Sequence, residues 1–89
     1  MTSNAREDLE TMSWFWGLTP ARQEVAEDVW NRLGGKEFRR FTDFIHALKL
    51  DDYSGAANAL KGSKLALDEE GAREVRGWVR IMLSGEFVA

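Results

Sequence analysis

The chain of 89 residues is 44% hydrophobic and 30% charged, a balance that suits one small core and excludes the disordered class. Twelve Lys plus Arg against fifteen Asp plus Glu leave a formal net charge of −3, which gives no general attraction for a nucleic-acid backbone, and the lack of cysteine excludes disulfides and thiolate metal sites. No apolar run approaches the roughly 20 residues that span a bilayer, and no N-terminal stretch reads as a signal peptide, so no membrane partner is expected and the cytosol is the favoured compartment.

Residues 1 to 6, MTSNAR, are polar and read as a frayed end, with one helical domain over residues 7 to 89. In EDLETMSWFWG, Leu9, Met12, Phe15 and Trp16 recur at three to four residues, which predicts a helix over 7 to 17 with Gly17 as its stop. Thr19 and Pro20 then read as N-cap and first helical position. Val25, Ala26, Val29, Trp30 and Leu33 form the apolar stripe of that helix, Arg22, Glu24, Glu27, Asp28 and Arg32 face away, and Gly34-Gly35 ends it.

The next segment carries Phe38, Phe41, Phe44, Ile45, Leu48 and Leu50 as inward residues of a helix broken near Thr42, whose hydroxyl is expected to cap a second short helix from Asp43. Asp51 or Asp52 caps YSGAANALKG, where Tyr53, Ala56, Ala57 and Leu60 turn inward and Gly62 closes the helix. Asp68 caps the last helix, with Ala72, Val75, Trp78, Val79 and Met82 as its stripe and Ser84-Gly85 as its end. No alternating β-branched run occurs, so the expected fold is all-α, a single small domain of five or six short helices.

FTDFIHALKLDDYSGAANALKGS, residues 41 to 63, resembles a segment of phage-type lysozymes, the muramidase endolysins of glycoside hydrolase family 24. The matching elements are Phe41-Thr42, the aliphatic Ile45 and Leu48, the polar turn Lys49 to Asp52, and Tyr53-Ser54-Gly55-Ala56-Ala57. LTPARQEVAEDVWNRLGG is similar to that family's long buried helix and REVRGWVRIMLSGEF to its Arg-rich final helix, so the likeness covers about residues 18 to 87, with gaps needed around 64 to 71.

The resemblance implies the helical lobe of those enzymes without the lobe that carries their chemistry, a Glu followed nine positions later by Asp and six beyond that by Thr. No Glu here has Asp nine positions on: Glu7 meets Trp16, Glu10 meets Thr19, Glu24 meets Leu33, Glu27 meets Lys36 and Glu37 meets His46. About 17 residues precede the matched region, too few for the second lobe, and no rigid carboxyl pair suited to glycoside hydrolysis is visible. The expectation is a chain with no catalytic residues and no enzymatic activity.

Other chemistry is sparse. His46 is the single histidine, without a second His or a Cys to complete a metal site, and reads as a boundary residue. Asp51-Asp52 and Asp68-Glu69-Glu70 lack EF-hand spacing and read as caps, while Gly34-Gly35-Lys36 lacks the rest of a phosphate loop. Neither metal nor cofactor is expected. The best basic patch, Lys36 with Arg39 and Arg40, is diluted by Glu37 and Asp43, which places duplex DNA binding through residues 36 to 50 last among the functional readings.

Two groups of residues stand out as candidates for partner binding. Arg73, Arg76 and Arg80 form a basic stripe on the last helix, with pairing to Glu69 and Glu74 as the ordinary alternative. Trp14, Phe15 and Trp16 are consecutive and spread about 100° apart, so one inward face cannot take all three and at least one ring is expected at the surface. Leu9, Met12 and Phe15 are the expected covering face over a flank that the lysozymes bury against their other lobe, and Trp14 and Trp16 are the candidate anchors for a partner. The leading expectation is a non-catalytic, phage-related protein-binding module in a host cytoplasm, an inhibitor of a host or defence protein. A cell-wall saccharide-binding remnant or muramidase fragment is the rival reading, and self-association through the aromatic patch is a further option.

Overall fold

The computed structural model describes residues 4 to 86, which form six α-helices and two 3-10 turns and, among the described residues, no strand. In chain order these are α1 (Asn4–Leu9), a 3-10 turn at Ser13–Gly17, α2 (Pro20–Leu33), α3 (Gly35–Arg40), α4 (Thr42–Lys49), α5 (Tyr53–Lys61), a second 3-10 turn at Lys64–Ala66, and α6 (Glu69–Ser84). Four of the helices have nine residues or fewer, well short of the roughly 12 to 15 at which an isolated helix becomes even marginal, so tertiary packing must hold them. The packing is one contiguous cluster of buried side chains drawn from α1 through α6, with Phe15, Phe38, Phe44, Leu48, Leu60 and Met82 fully enclosed.

The helix boundaries follow local chemistry. Thr19 Oγ1 accepts the Arg22 amide at 3.3 Å and Pro20 occupies the first turn of α2. Asp52 and Asp68 cap α5 and α6 by accepting the amides of Gly55 and Gly71 at 2.9 and 2.5 Å. Gly85 closes α6 in the left-handed region at φ 77°. Gly34, at φ 82°, ends α2 and begins α3, so the Gly34-Gly35 pair is a corner between two helices.

Four local expectations are corrected. The first helix starts at Asn4 and buries Ala5, so order reaches into the segment read as frayed; residues 1 to 3 lie outside the described ones. The helix expected over 7 to 17 stops at Leu9, where the Thr11 hydroxyl donates to the Asp8 carbonyl at 2.6 Å, and Met12 turns extended before the 3-10 turn. That break lets Leu9 and Phe15 both be fully enclosed. Thr42 caps nothing: a single residue, Phe41, joins α3 to α4, and its ring stacks on Phe44 with centroids 5.1 Å apart. Leu50 is 64% exposed because it sits past the end of α4, where Asp51 reverses the chain at φ 56°.

Arg22, expected to face solvent, is the largest correction. Its Nε donates to the Met82 carbonyl at 2.8 Å and its Nη2 to that of Leu83 at 3.5 Å, and the guanidinium lies 3.6 Å from the Tyr53 ring centroid. One side chain of α2 thus satisfies carbonyls at the end of α6 and stacks on α5. At the far end of the same antiparallel pair, Arg32 of α2 bonds Glu74 of α6.

Two substitutions test this arrangement by urea unfolding. Arg22→Ala is expected to destabilise by about 1 to 3 kcal/mol, and Arg22→Lys to recover only part, because an ammonium cannot bridge two carbonyls and stack at once. Gly77, in the exposed middle of α6, has no atom within 4 Å of where a Cβ would sit, whereas at Gly71 a Cβ would run into the Leu65 carbonyl oxygen. Gly77→Ala should therefore stabilise by about 0.5 to 1 kcal/mol, and Gly71→Ala should destabilise.

Candidate partner-binding surfaces

The aromatic triplet resolves into three different environments. Phe15 is fully buried beneath the Arg6 guanidinium, which stands 5.1 Å from its ring centroid. Trp14 is half-buried, stacked on Phe38 at 6.4 Å with its edge toward Phe15, and so belongs to the lid of the core. Trp16 is 60% exposed, yet its position is fixed, since Nε1 donates to the Glu10 carbonyl at 3.0 Å and the ring meets Phe15 edge-on at 5.8 Å. The 3-10 geometry of Ser13–Gly17 is what parts the two tryptophans while Phe15 points inward between them.

Arg73, Arg76 and Arg80 are all exposed on the outer face of α6, and none of them makes an ion pair among the described residues. The expected pairing with Glu69 and Glu74 does not form, because Glu74 sits on the edge of α6 that faces α2 and is taken by Arg32. No hydrogen bond, ring contact or ion pair joins these arginines to Trp14 or Trp16, so the five candidate residues make two groups and not one site.

The cations nearer the middle of the chain are paired. Arg39 bonds Asp8, which also accepts from the Trp30 indole Nε1 at 2.8 Å, and Arg40 and Lys64 each lie 3.5 Å from a Glu37 carboxylate oxygen. Of the basic patch at 36 to 40, Lys36 alone has no such partner among the described residues, which weakens the electrostatic basis for DNA binding. Beside these pairs lies an open groove of about 320 Å³, floored by Leu33, Phe41 and Leu65 and rimmed by Glu37, Arg40 and Lys64. His46 is exposed on α4 near Arg39 and Lys49, and among the described residues no group of three or more His, Asp or Glu is placed to hold a metal ion.

One feature was not singled out from the sequence. Glu24, Glu27 and Asp28 stand together on the outer face of α2, where spacings of three and four put like charges side by side. Burial raises the Asp28 pKa above its ordinary 3.8, Glu24, Glu27 and Glu74 raise it further, and a hydrogen bond with the Trp78 side chain opposes them. On α5, burial and then the Asp51 carboxylate, 3.2 Å from the Tyr53 hydroxyl, raise the Tyr53 pKa, against the Arg22 guanidinium.

The sign of the Asp28 shift makes a prediction. A carboxyl group whose pKa is raised by folding holds its proton more tightly in the native state, so its contribution to stability falls as pH rises from 3.8 through the folded value. Asp28→Asn keeps an oxygen for the indole and removes the charge. It should raise the Tm at pH 7 in dilute solution, with the gain disappearing below the ordinary pKa of 3.8.

No protein-family model, no curated protein and no solved structure matches the chain, so the likeness to the lysozyme helical lobe rests on the residues quoted for it.

Proposed function

We propose that this chain is a non-catalytic protein-binding module with Trp16 as its anchor. The observation that carries this reading is the pairing of exposure with fixed geometry: the ring is 60% exposed, while its indole N–H and the Phe15 contact hold it in place. A large aromatic already locked in one orientation loses little conformational entropy on binding and suits an interface hot spot. The stripe of Arg73, Arg76 and Arg80 supplies a second surface, exposed and without ion-pair partners among the described residues. The likeness to the helical lobe of phage lysozymes supports a finer version, in which the module is phage-encoded and inhibits a host or defence protein.

The wall-saccharide reading keeps one specific point in its favour, since an exposed Trp beside the polar Glu10 and Thr11 is also a platform on which a sugar ring can stack. The two readings separate by experiment. Immobilised chain is offered bacterial lysate, retained proteins are identified, and the Kd of the retained protein is measured for the native chain and for Trp16→Ala. The substitution should weaken binding about thirtyfold, the roughly 2 kcal/mol of a hot spot. Equal binding by the variant would remove Trp16 as the anchor, and Trp16-dependent co-sedimentation with peptidoglycan sacculi would put the saccharide reading in its place.

A further inference from the structure

Trp16 is one end of a larger surface. Its indole N–H is taken by the Glu10 carbonyl at 3.0 Å, so the exposed ring offers a partner its π face and no hydrogen bond. Glu10 pairs with Arg6 at 3.5 Å, and Arg6 reaches Glu27 of α2 at 3.8 Å. Arg6 also walls an open groove of about 340 Å³ whose other lining residues, Pro20, Gln23, Glu24, Glu27 and Asp28, all belong to α2. Gln23 in turn donates to the carbonyl of Phe15, the residue before Trp16, at 3.2 Å. Two separate runs of contacts, one through Arg6 and Glu10 and one through Gln23 and Phe15, tie the groove to the Trp16 turn.

We infer that this surface docks a basic segment of a partner protein, with an arginine stacked on the Trp16 ring and further cations along the groove. The inference rests on Trp16 being the anchor of a protein-binding module and adds the chemistry of what the anchor holds. A guanidinium gains twice in such a place: its flat face stacks on an indole while its edge donates to a carboxylate.

The charge of the surface selects this occupant. Glu10, Glu24, Glu27 and Asp28 bring their carboxylates to it against the guanidinium of Arg6, which is already shared between Glu10 and Glu27. Glu24 and Asp28 form no ion pair among the described residues. Spacings of three and four along α2 set these like charges side by side, a repulsion that folding leaves in place and that cations from outside would relieve. The raised pKa of Asp28, due first to burial and then to Glu24, Glu27 and Glu74, is a sign of the same crowding.

Other occupants fit less well. The carboxylates are strung along a helix, and among the described residues no group of three or more His, Asp or Glu is placed to hold a metal ion, so the surface suits a run of cations and not one point charge. An acidic segment or a nucleic-acid backbone would meet like charge over the whole groove. Because the contact is open and polar, binding of the basic segment is salt-sensitive.

Fluorescence anisotropy of a labelled peptide of about ten residues, alternating Arg and Gly, tests it against the whole chain at about 0.05 M salt, with the Lys and Glu counterparts of the peptide as comparisons. The Arg peptide should bind, the Lys peptide about threefold more weakly because an ammonium stacks less well, and the Glu peptide not at all. Trp16→Ala and the double substitution Glu24→Gln/Asp28→Asn, each confirmed as folded by circular dichroism, should each weaken the Arg peptide about tenfold. Nuclear magnetic resonance shifts on titration should centre on the Trp16 indole and the Gln23 side-chain amide. No binding of the Arg peptide below about 1 mM, equal binding of the Glu peptide, equal binding by either variant, or shifts confined to another face would each overturn the inference. A chain that dimerises through Trp16 and so shuts the peptide out would overturn it in favour of a second copy. A lysate protein whose binding depends on Trp16 but is unmoved by Glu24→Gln/Asp28→Asn would overturn the basic occupant while leaving the anchor standing.

Discussion

The Arg22 guanidinium is the one group on which three helices depend at once. Without it the last carbonyls of α6 lose donors, the flat face of Tyr53 loses its cover, and α2 loses its tie to the end of α6. Gly85 shares the duty by turning the chain in the left-handed region, which brings the final carbonyls within reach of Arg22. The role requires arginine in particular: its planar fork donates from its edge while its face stacks on the phenol ring. With four helices too short to persist alone, such cross-links and the enclosed phenylalanines hold what local propensity cannot.

The elements were legible where one local rule decided the outcome. The caps at Thr19 and Asp68, the cap at one of Asp51 and Asp52, the stops at Gly34 and Gly85, and the inward Val25, Val29, Ala56, Ala57 and Leu60 follow from spacing and capping chemistry, and the fold selects Asp52. Legibility failed where tertiary demand overrode periodicity. Leu9 and Phe15 could both be enclosed only if the first helix broke between them, and nothing in the spacing of apolar residues says so. Arg22 read as solvent-facing because its acceptors lie 60 residues away, and a charge-bearing side chain gives no local sign of the carbonyls it will meet.

The candidate surfaces were legible in the same uneven way. That one ring of Trp14, Phe15 and Trp16 must stay outside follows from angular spread alone, but which one it is depends on the 3-10 turn. The arginine stripe is visible as a spacing of three and four, but that it does not pair with Glu74 follows from Glu74 being drawn across to Arg32. The acidic row on α2 is equally visible as a spacing, whereas the hydrogen bond between Asp28 and the Trp78 side chain is a fact of the fold and not of either helix.

The single-residue joints at Gly34 and Phe41, and the three-residue link from α4 to α5, make most neighbouring helices adjacent in sequence as well as in space. The α2–α6 pairing spans the greatest separation, with Arg22 bonding carbonyls 60 and 61 residues on, and such distant closures are the slow ones in folding. Closures between successive helices cost little chain entropy and can form early and rapidly. The α6 segment follows the end of α2 by some 35 residues, so the core that encloses Val25 and Val29 is complete only when the last helix has docked. Docking of α6 is thus the closure that carries the largest loop-entropy cost in this chain, and the contacts of Arg22 with the end of α6 are what that closure gains.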